Sequence, residues 1–185
     1  GAGKAALSEL FSQTRALSRT RLRADGRAPV LGPGRALVLP RTIAFNAVPQ
    51  VGRIGPDGCT DEESKIAAEL RKVWDAPKMA VSVTAVRVPV IRGHSMSAWL
   101  TFKKPLSPEK ARKLMSKTSG LVLLPEGDYP TPLLVGGKGP VFAGRVRRGA
   151  TDKELCLWLS YDNLLKGAAL NSVQIAEELL RRGWI

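Results

Sequence analysis

The chain has 185 residues, 44% of them hydrophobic, which is enough to bury one compact core. It has no apolar run of about 18 residues and its N-terminus reads as amphipathic rather than as a secretory signal, so we expect a cytoplasmic protein without membrane contact. The formal net charge of +13 is typical of some nucleic-acid binders, but the basic residues are dispersed and an aromatic content of 5% provides few stacking platforms.

Helical and extended patterns alternate in the first half of the chain. Apolar side chains at a period near 3.6 predict a helix from Ala2 to about Arg19. An irregular, Gly-, Pro- and Arg-rich excursion follows at about 22–40. Thr60-Asp61-Glu62-Glu63 has the spacing of a capping box, which predicts a helix over about 60–74. β-branched residues predict a strand over Ala80–Val90.

The second half contains further strands and two helices. Polar and apolar side chains alternate from His94 to Phe102, which predicts a strand that pairs with Ala80–Val90 as a hairpin. Ser107-Pro108-Glu109 is typical of a helix start and predicts a helix to about Lys117. Strands are predicted at 121–124, 141–147 and 155–161, followed by a helix that Asp162 caps and that has a wide apolar face. The pattern predicts an α/β (α+β) fold in a single domain over 1–185.

The two cysteines, Cys59 and Cys156, do not form a metal-binding or disulfide pattern. The chain has no CxxC motif and one histidine, so we expect no metal site. A helix N-terminus would lower the pKa of a thiol at Cys59. We nevertheless interpret Cys59 as a residue that packs onto the helix, and Cys156 as a core residue.

Arg87-Val88-Pro89-Val90-Ile91-Arg92-Gly93-His94-Ser95 places a guanidinium and the one imidazole seven positions apart. Guanidinium binds carboxylates through two parallel hydrogen bonds, and imidazole exchanges protons near neutral pH. An arginine and a histidine near a turn are also common on an ordinary surface. What favours a site is the order of further motifs, which are Gly1-Ala2-Gly3, Ile43-Ala44-Phe45-Asn46-Ala47-Val48-Pro49, Glu62-Glu63-Ser64-Lys65, Tyr129-Pro130-Thr131-Pro132 and Asp162-Asn163-Leu164-Leu165-Lys166-Gly167-Ala168-Ala169-Leu170-Asn171.

Together these motifs resemble the C-terminal, substrate-binding and dimerisation half of aspartate-semialdehyde dehydrogenase. The resemblance implies that Arg87 binds the substrate carboxylate and that His94 is the catalytic acid/base. It implies that Glu62 meets the substrate amine and that Lys65 binds phosphate. By spacing alone, Glu62 and Lys65 would be an ordinary ion pair on one helix face. The spacing of 25 residues from Glu62 to Arg87 and of seven residues from Arg87 to His94 matches the family and favours the site instead.

The resemblance also implies NADP as the cofactor, with contacts from Gly1 and Asn163. Thr42 departs from the family, which commonly has proline there, and this puts a contact to the nicotinamide in doubt. Although Gly1-Ala2-Gly3-Lys4-Ala5-Ala6 has the spacing of a dinucleotide fingerprint, no strand precedes it. We therefore expect the N-terminal NADP-binding Rossmann domain, and the cysteine nucleophile carried with it, to be absent from these residues.

The implied function is the reversible conversion of aspartate semialdehyde, phosphate and NADP to aspartyl phosphate and NADPH, in lysine, methionine and threonine biosynthesis. The chain alone is expected to be inactive and to need a Rossmann half in cis or in trans. A non-catalytic relative with a structural role and a basic nucleic-acid-associated module are the alternatives. Joint retention of the four substrate-site residues weighs against the first, and charge dispersion weighs against the second, so we expect no nucleic-acid partner.

The resemblance implies a glyceraldehyde-3-phosphate-dehydrogenase-like C-terminal domain, in which helices cover a mixed sheet that also forms a homodimer. The sequence supports a dimer independently. Leu155, Leu157 and Leu159 alternate with Cys156, Trp158 and Ser160, so a half-apolar face is expected to remain after helices cover the other one.

Overall fold

The computed structural model describes residues 2–19 and 38–185, which form two compact units, Ala2–Pro89 and Val90–Ile185. Most of the predicted excursion, residues 22–37, lies outside the described residues. The single domain over 1–185 stays a prediction. Among the described residues, no helix is long and apolar enough to cross a membrane.

Helix α1 (Gly3–Ser18) organises the core of the first unit and confirms the helix predicted there. Its apolar side chains pack in a buried cluster made of Ala6, Leu10, Leu39, Ile43, Ala44 and Val48. Two polar side chains of the same helix are also buried. Glu9 accepts hydrogen bonds from the N–H groups of Val38 and Leu39, and Gln13 accepts from those of Ile43 and Ala44. Helix α1 thus satisfies backbone groups of the segment that it packs against.

Helix α2 (Asp61–Val73) begins at the predicted capping box. The Thr60 hydroxyl accepts from the Glu63 N–H, and the Glu63 carboxylate accepts from the Thr60 N–H at 2.7 Å. The predicted strand Ala80–Val90 is wrong. In that segment the structure has one isolated antiparallel bridge, between Val48 and Arg87.

The second unit contains a mixed four-stranded sheet in the order β1-β4-β3-β2, built from β1 (His94–Thr101), β2 (Leu121–Leu123), β3 (Val141–Arg148) and β4 (Glu154–Tyr161). Strand β4 pairs antiparallel with β1 and β3, and β2 pairs parallel with β3. The predicted mixed sheet and α/β class are confirmed. The predicted hairpin is wrong, because β1 finds its partner in β4, far along the chain.

Two helices lie against this sheet, α3 (Pro108–Met115) and the short α4 (Pro132–Val135). Helix α3 begins at the predicted cap Ser107, and its Ala111 packs with Leu155 and Leu157 of β4. The other face of β4 is covered by the segment before α4. Trp158 Nε1 donates to the Pro130 carbonyl at 2.8 Å, and Ser160 is fully buried.

This cover corrects the argument for a free second face on β3 and β4. Cys156 is buried there, as predicted for a core residue, together with Ser160. The most exposed large apolar side chains of the sheet belong to the edge strand β1, where Trp99 is 76% exposed and Met96 48%. A chain segment between β2 and β3 thus covers the face of β4 that the alternating sequence pattern predicted to stay free.

The last helix differs from the prediction. A π-helical segment, Leu165–Ala169, follows Asp162 and contains a non-helical residue, Ala168, with φ −148° and ψ −109°. Helix α5 (Leu170–Arg181) begins after it, and none of its residues is buried. The wide apolar face predicted for one continuous helix therefore does not build a core, and Val173 and Leu180 are exposed.

Candidate functional site

Arg87 lies in the first unit, where hydrogen bonds hold its backbone but leave one guanidinium nitrogen without a partner among the described residues. Its N–H donates to the Val48 carbonyl, and its carbonyl accepts from the Val48 N–H, both at 2.9 Å. The Nε atom is buried and has no hydrogen-bond partner among the described residues. Buried polar groups are almost always hydrogen-bonded, so an orphaned guanidinium N–H indicates a missing acceptor. The side chain also lines an open cavity of about 380 Å³, whose other lining residues are Val38, Leu39, Pro40, Gln50 and Gly52.

A larger hollow of about 450 Å³ lies beside α1 in the same unit. Its lining residues are Ser8, Phe11, Ser12, Arg15, Ala16 and Arg19. None of these is a predicted site residue. Of these two cavities, the one beside Arg87 is therefore the one lined by a predicted site residue.

Glu62 and Lys65 form a long ion pair on α2. The Lys65 Nζ lies 3.9 Å from the Glu62 Oε2, and both side chains are well exposed. Exposed pairs at this separation contribute little to stability, because water and salt compete for both charges. Both groups are thus available to a charged ligand.

Glu63, their neighbour, connects α2 to the segment that carries Arg87. One carboxylate oxygen accepts from the Thr60 N–H, and the other accepts from the Ala85 N–H at 2.8 Å. These bonds from Thr60 and then from Ala85 lower the pKa of Glu63. The cap of α2 therefore also holds the chain two residues before Arg87, a contact that the capping-box pattern did not indicate.

Replacement of Glu63 by glutamine is expected to weaken this connection in a pH-dependent way. Because the pKa of Glu63 is lower in the folded protein than in the unfolded chain, its stabilisation is present above the ordinary glutamate pKa of about 4.3 and is lost as the pH falls through the folded pKa. Urea unfolding at pH 7 should show a lower midpoint for Glu63→Gln than for wild type, and the difference between the two midpoints should be smaller at pH 3. Glu69→Gln, at an exposed position of the same helix, should match wild type at both pH values.

His94 lies in the second unit as the first residue of β1. It pairs across the sheet with Tyr161, the last residue of β4, and its Nδ1 lies 3.4 Å from the Tyr161 hydroxyl. The two rings meet edge to face, with centroids 5.6 Å apart. The imidazole is exposed, as an acid/base that meets a substrate must be.

Asn163 lies next to this histidine in space. Its side-chain Oδ1 accepts the Gly93 N–H at 2.9 Å, so it holds the residue just before His94. Within residues 2–19 and 38–185, no protein group accepts from the Asn163 amide nitrogen, which remains available to a ligand. The structure thus brings together the predicted acid/base and the predicted cofactor contact of the second unit.

A buried ion pair beside them was missed by the sequence analysis. Asp162 is fully buried, and its carboxylate accepts from Arg92 Nε and from the Gly137 N–H, both at 2.6 Å, and from the Leu164 N–H at 2.9 Å. Burial opposes the charge of Asp162, but the hydrogen bonds from Gly137 and Arg92 outweigh it and lower its pKa. The sequence indicated only a helix cap at Asp162, because nothing local pairs it with an arginine 70 positions earlier.

The remaining residues singled out in the sequence are not part of the two groups around Arg87 and His94. Gly1 lies outside the described residues, so its cofactor contact stays a prediction. Cys59 is exposed, so the expected packing onto α2 is wrong. The Asp57 carboxylate is the main cause that raises the pKa of its thiol, which is the opposite of what a thiolate nucleophile needs.

Comparison with known proteins gives a consistent family assignment along the chain. A family model described as semialdehyde dehydrogenase, dimerisation domain, matches residues 1–166. An aspartate-semialdehyde dehydrogenase from Streptomyces akiyoshiensis is 44% identical over 183 residues, which are 96% of this chain and 52% of that protein.

Solved structures agree with the sequence relatives. Aspartate semialdehyde dehydrogenase II from Vibrio cholerae superposes with a TM-score of 0.85 at 36% identity, over 98% of this chain and 51% of that one. The same enzyme complexed with ASA gives a TM-score of 0.84 at 36% identity, over 97% of this chain and 51% of that one. The implied glyceraldehyde-3-phosphate-dehydrogenase-like fold is confirmed. The chain spans about half the length of the curated relatives that it matches.

Proposed function

The chain belongs to the semialdehyde dehydrogenase dimerisation-domain family, and on that premise we propose that it is the C-terminal half of an aspartate-semialdehyde dehydrogenase. The reaction would convert aspartate semialdehyde, phosphate and NADP reversibly to aspartyl phosphate and NADPH, together with a Rossmann half in cis or in trans. The observation that carries this proposal is the 44% identity to such an enzyme over 96% of this chain.

Arg87 is the proposed carboxylate-binding residue. Its guanidinium is always charged and presents donors in a planar fork that matches a carboxylate. The buried Nε, which has no partner in residues 2–19 and 38–185, supports this role, because an entering carboxylate would satisfy it. The backbone bonds to Val48 hold the residue in place before the ligand arrives.

His94 is the proposed acid/base. In this role it accepts the proton of a cysteine thiol supplied by the Rossmann half, which frees the thiolate to attack the aldehyde carbon. It then donates and accepts the proton at the thiohemiacetal oxygen. Neither Cys59 nor Cys156 fits as that nucleophile, since one has a raised pKa and the other is buried in the sheet.

Glu62 and Lys65 are the proposed contacts of the substrate amine and of phosphate. Each carries the charge opposite to that of its ligand. Their mutual pairing at 3.9 Å is long and exposed, so exchange of one partner for a ligand sacrifices little stability. The net charge of +13 would also attract anionic ligands such as phosphate and the cofactor.

NADP is the proposed cofactor, and when bound it supplies the acceptor for the hydride of the oxidation. Asn163 is the described residue proposed to contact it. The amide nitrogen of Asn163, which has no acceptor in the described part of the chain, fits a donor to an oxygen of the cofactor. Gly1 is proposed as a second contact on the resemblance alone.

The proposal is tested by joining this chain to the Rossmann half of the Streptomyces akiyoshiensis relative. The chain alone should form no NADPH from semialdehyde, phosphate and NADP, whereas the hybrid should form it. The relative with its own two halves serves as the positive control. Turnover by this chain alone would contradict the need for a second half, and an inactive but well-folded hybrid would count against the proposed reaction.

We further propose that the chain is a homodimer assembled through its sheet. Exposed Trp99 on edge strand β1, on the sheet face that also has Cys156, is the large apolar side chain that a partner would cover. An obligate dimer buries on the order of 2,000 Å² or more, and a closed two-fold arrangement places the same patch against itself. Sedimentation at micromolar concentration should give about twice the 19.9 kDa mass of the chain. A monomer in moderate salt would contradict the proposal.

A further inference from the structure

The backbone pairing of β1 with β4 ends at His94 and Tyr161. Beyond that pair, side chains connect the two segments. Arg92 Nε binds the Asp162 carboxylate at 2.6 Å, and Asn163 Oδ1 accepts the Gly93 N–H at 2.9 Å. Two consecutive residues on one side are thus joined to two consecutive residues on the other.

These connections lie just beyond the end of the β1–β4 ladder. Gly93 has φ +99°, a conformation that few residues other than glycine adopt, and it is buried against Pro132. The end of a ladder has the fewest hydrogen bonds to break and opens at the lowest free energy. Contacts that hold residues 92 and 93 therefore contribute to the orientation of His94.

The Asp162 end of the connection is rigid. The carboxylate is fully buried and also accepts the N–H groups of Gly137 and Leu164. It therefore anchors Arg92 to two other segments of the unit as well. Arg92 is 39% exposed, so its stem can leave the contact without opening the core.

We propose that Arg92, Asp162 and Asn163 form a strand-end clamp that positions the imidazole of His94 against Tyr161. All three position the imidazole through the backbone of Gly93 and His94. Asn163 does so through its Oδ1, while its amide nitrogen is the atom proposed to contact the cofactor. The catalytic consequence rests on the proposed function, since it requires His94 to be the acid/base. The structural part, a clamp that fixes the imidazole ring, does not depend on the proposed function.

The composition of the chain allows a direct test. With one histidine and two tyrosines, a nuclear Overhauser effect between the imidazole and a tyrosine ring can be assigned to His94 and Tyr161. We expect this signal to fall several-fold in Arg92→Gln and in Asn163→Ala. The matched control is Arg182→Gln, which removes an ion pair of the same 2.6 Å Nε–carboxylate length, between Arg182 and Glu178, at the C-terminal end of α5.

Signals between Leu100 and Leu155, at the other end of the same strand pair, provide the internal reference. They should persist in both variants. An undiminished His94–Tyr161 signal in Arg92→Gln and Asn163→Ala would overturn the clamp. Loss of the reference signals in both variants would overturn it as well, because the contacts would then support the whole sheet and not the ring.

The catalytic consequence is measured separately in the hybrid enzyme. Arg92→Gln should lower kcat roughly tenfold to a hundredfold, with little change in KM, as expected for a displaced reacting group. A normal kcat with a lost ring signal would overturn the catalytic consequence and leave the clamp. If His94→Asn itself leaves kcat unchanged, the proposed function fails, while the ring signal still decides the clamp.

Discussion

Replacement of His94 by asparagine in the assembled enzyme is expected to lower kcat by roughly 10²–10⁴-fold, the range for loss of a positioned acid/base. Asparagine retains a similar size and hydrogen-bonding capacity at the strand end but cannot exchange a proton near neutral pH. KM should change little, because the proposed substrate contacts are on other residues. Steady-state kinetics of the hybrid enzyme, with phosphate and semialdehyde varied in turn, give both constants.

Arg87→Lys is the informative contrast, because it alters binding geometry without removing charge. An ammonium group cannot make two parallel hydrogen bonds to a carboxylate, so the KM for the semialdehyde should rise. A shift in kcat alone in both variants would mean that Arg87 does not bind the substrate. Equal, small effects of the two changes would mean that neither residue takes part in the chemistry.

Replacement of Asp162 by asparagine is expected to lower the free energy of unfolding by about 3 kcal/mol. The change removes a fully buried negative charge and places a donor among three groups that already donate, Arg92 and the N–H groups of Gly137 and Leu164. Because Arg92 is partly exposed and can turn to water, the loss should fall at the lower end of the range for broken buried pairs. Urea unfolding at pH 7 measures it.

The same variant should lose its disadvantage in acid. The pKa of Asp162 is lowered in the folded protein, so its contribution is present above the unfolded value near 3.9 and is lost as the pH falls through the folded pKa. Stability measured at pH 7 and at pH 3 should therefore differ more in wild type than in Asp162→Asn. Asp152→Asn, at an exposed position, should stay within about 0.5 kcal/mol of wild type. A full 3 kcal/mol loss that persists at pH 3 would contradict the assignment to the carboxylate charge.

The elements that the sequence analysis predicted correctly are those with local signals. Thr60 and Glu63 are three residues apart, and Ser107 is followed directly by Pro108, so the two helix starts depend only on neighbouring residues. Which strands pair with each other could not be predicted from neighbouring residues. Alternation over His94–Phe102 indicates a strand but not which strand it pairs with. Proximity in sequence predicts Ala80–Val90 as the partner, whereas the structure has β4 there.

A similar limit applies to the site. Arg87 and His94 could be proposed as site residues from the sequence, because their chemistry and spacing match a family pattern. The contacts around each of them could not be predicted, because they involve residues that are distant in sequence. Glu63 holds Ala85 from 22 positions away, and Asp162 holds Arg92 from 70 positions away. Such contacts leave no periodic trace in the sequence.

The distance along the chain between β1 and β4 also affects when the protein can fold. His94 and Tyr161 are separated by 67 positions, and Gly93 and Asn163 by 70, so the chain must close a long loop before either contact forms. During synthesis the histidine leaves the ribosome well before the residues that surround it. A nascent chain that stops before Asp162 therefore contains the imidazole and Tyr161 but not Asp162 and Asn163, which hold the residues before His94.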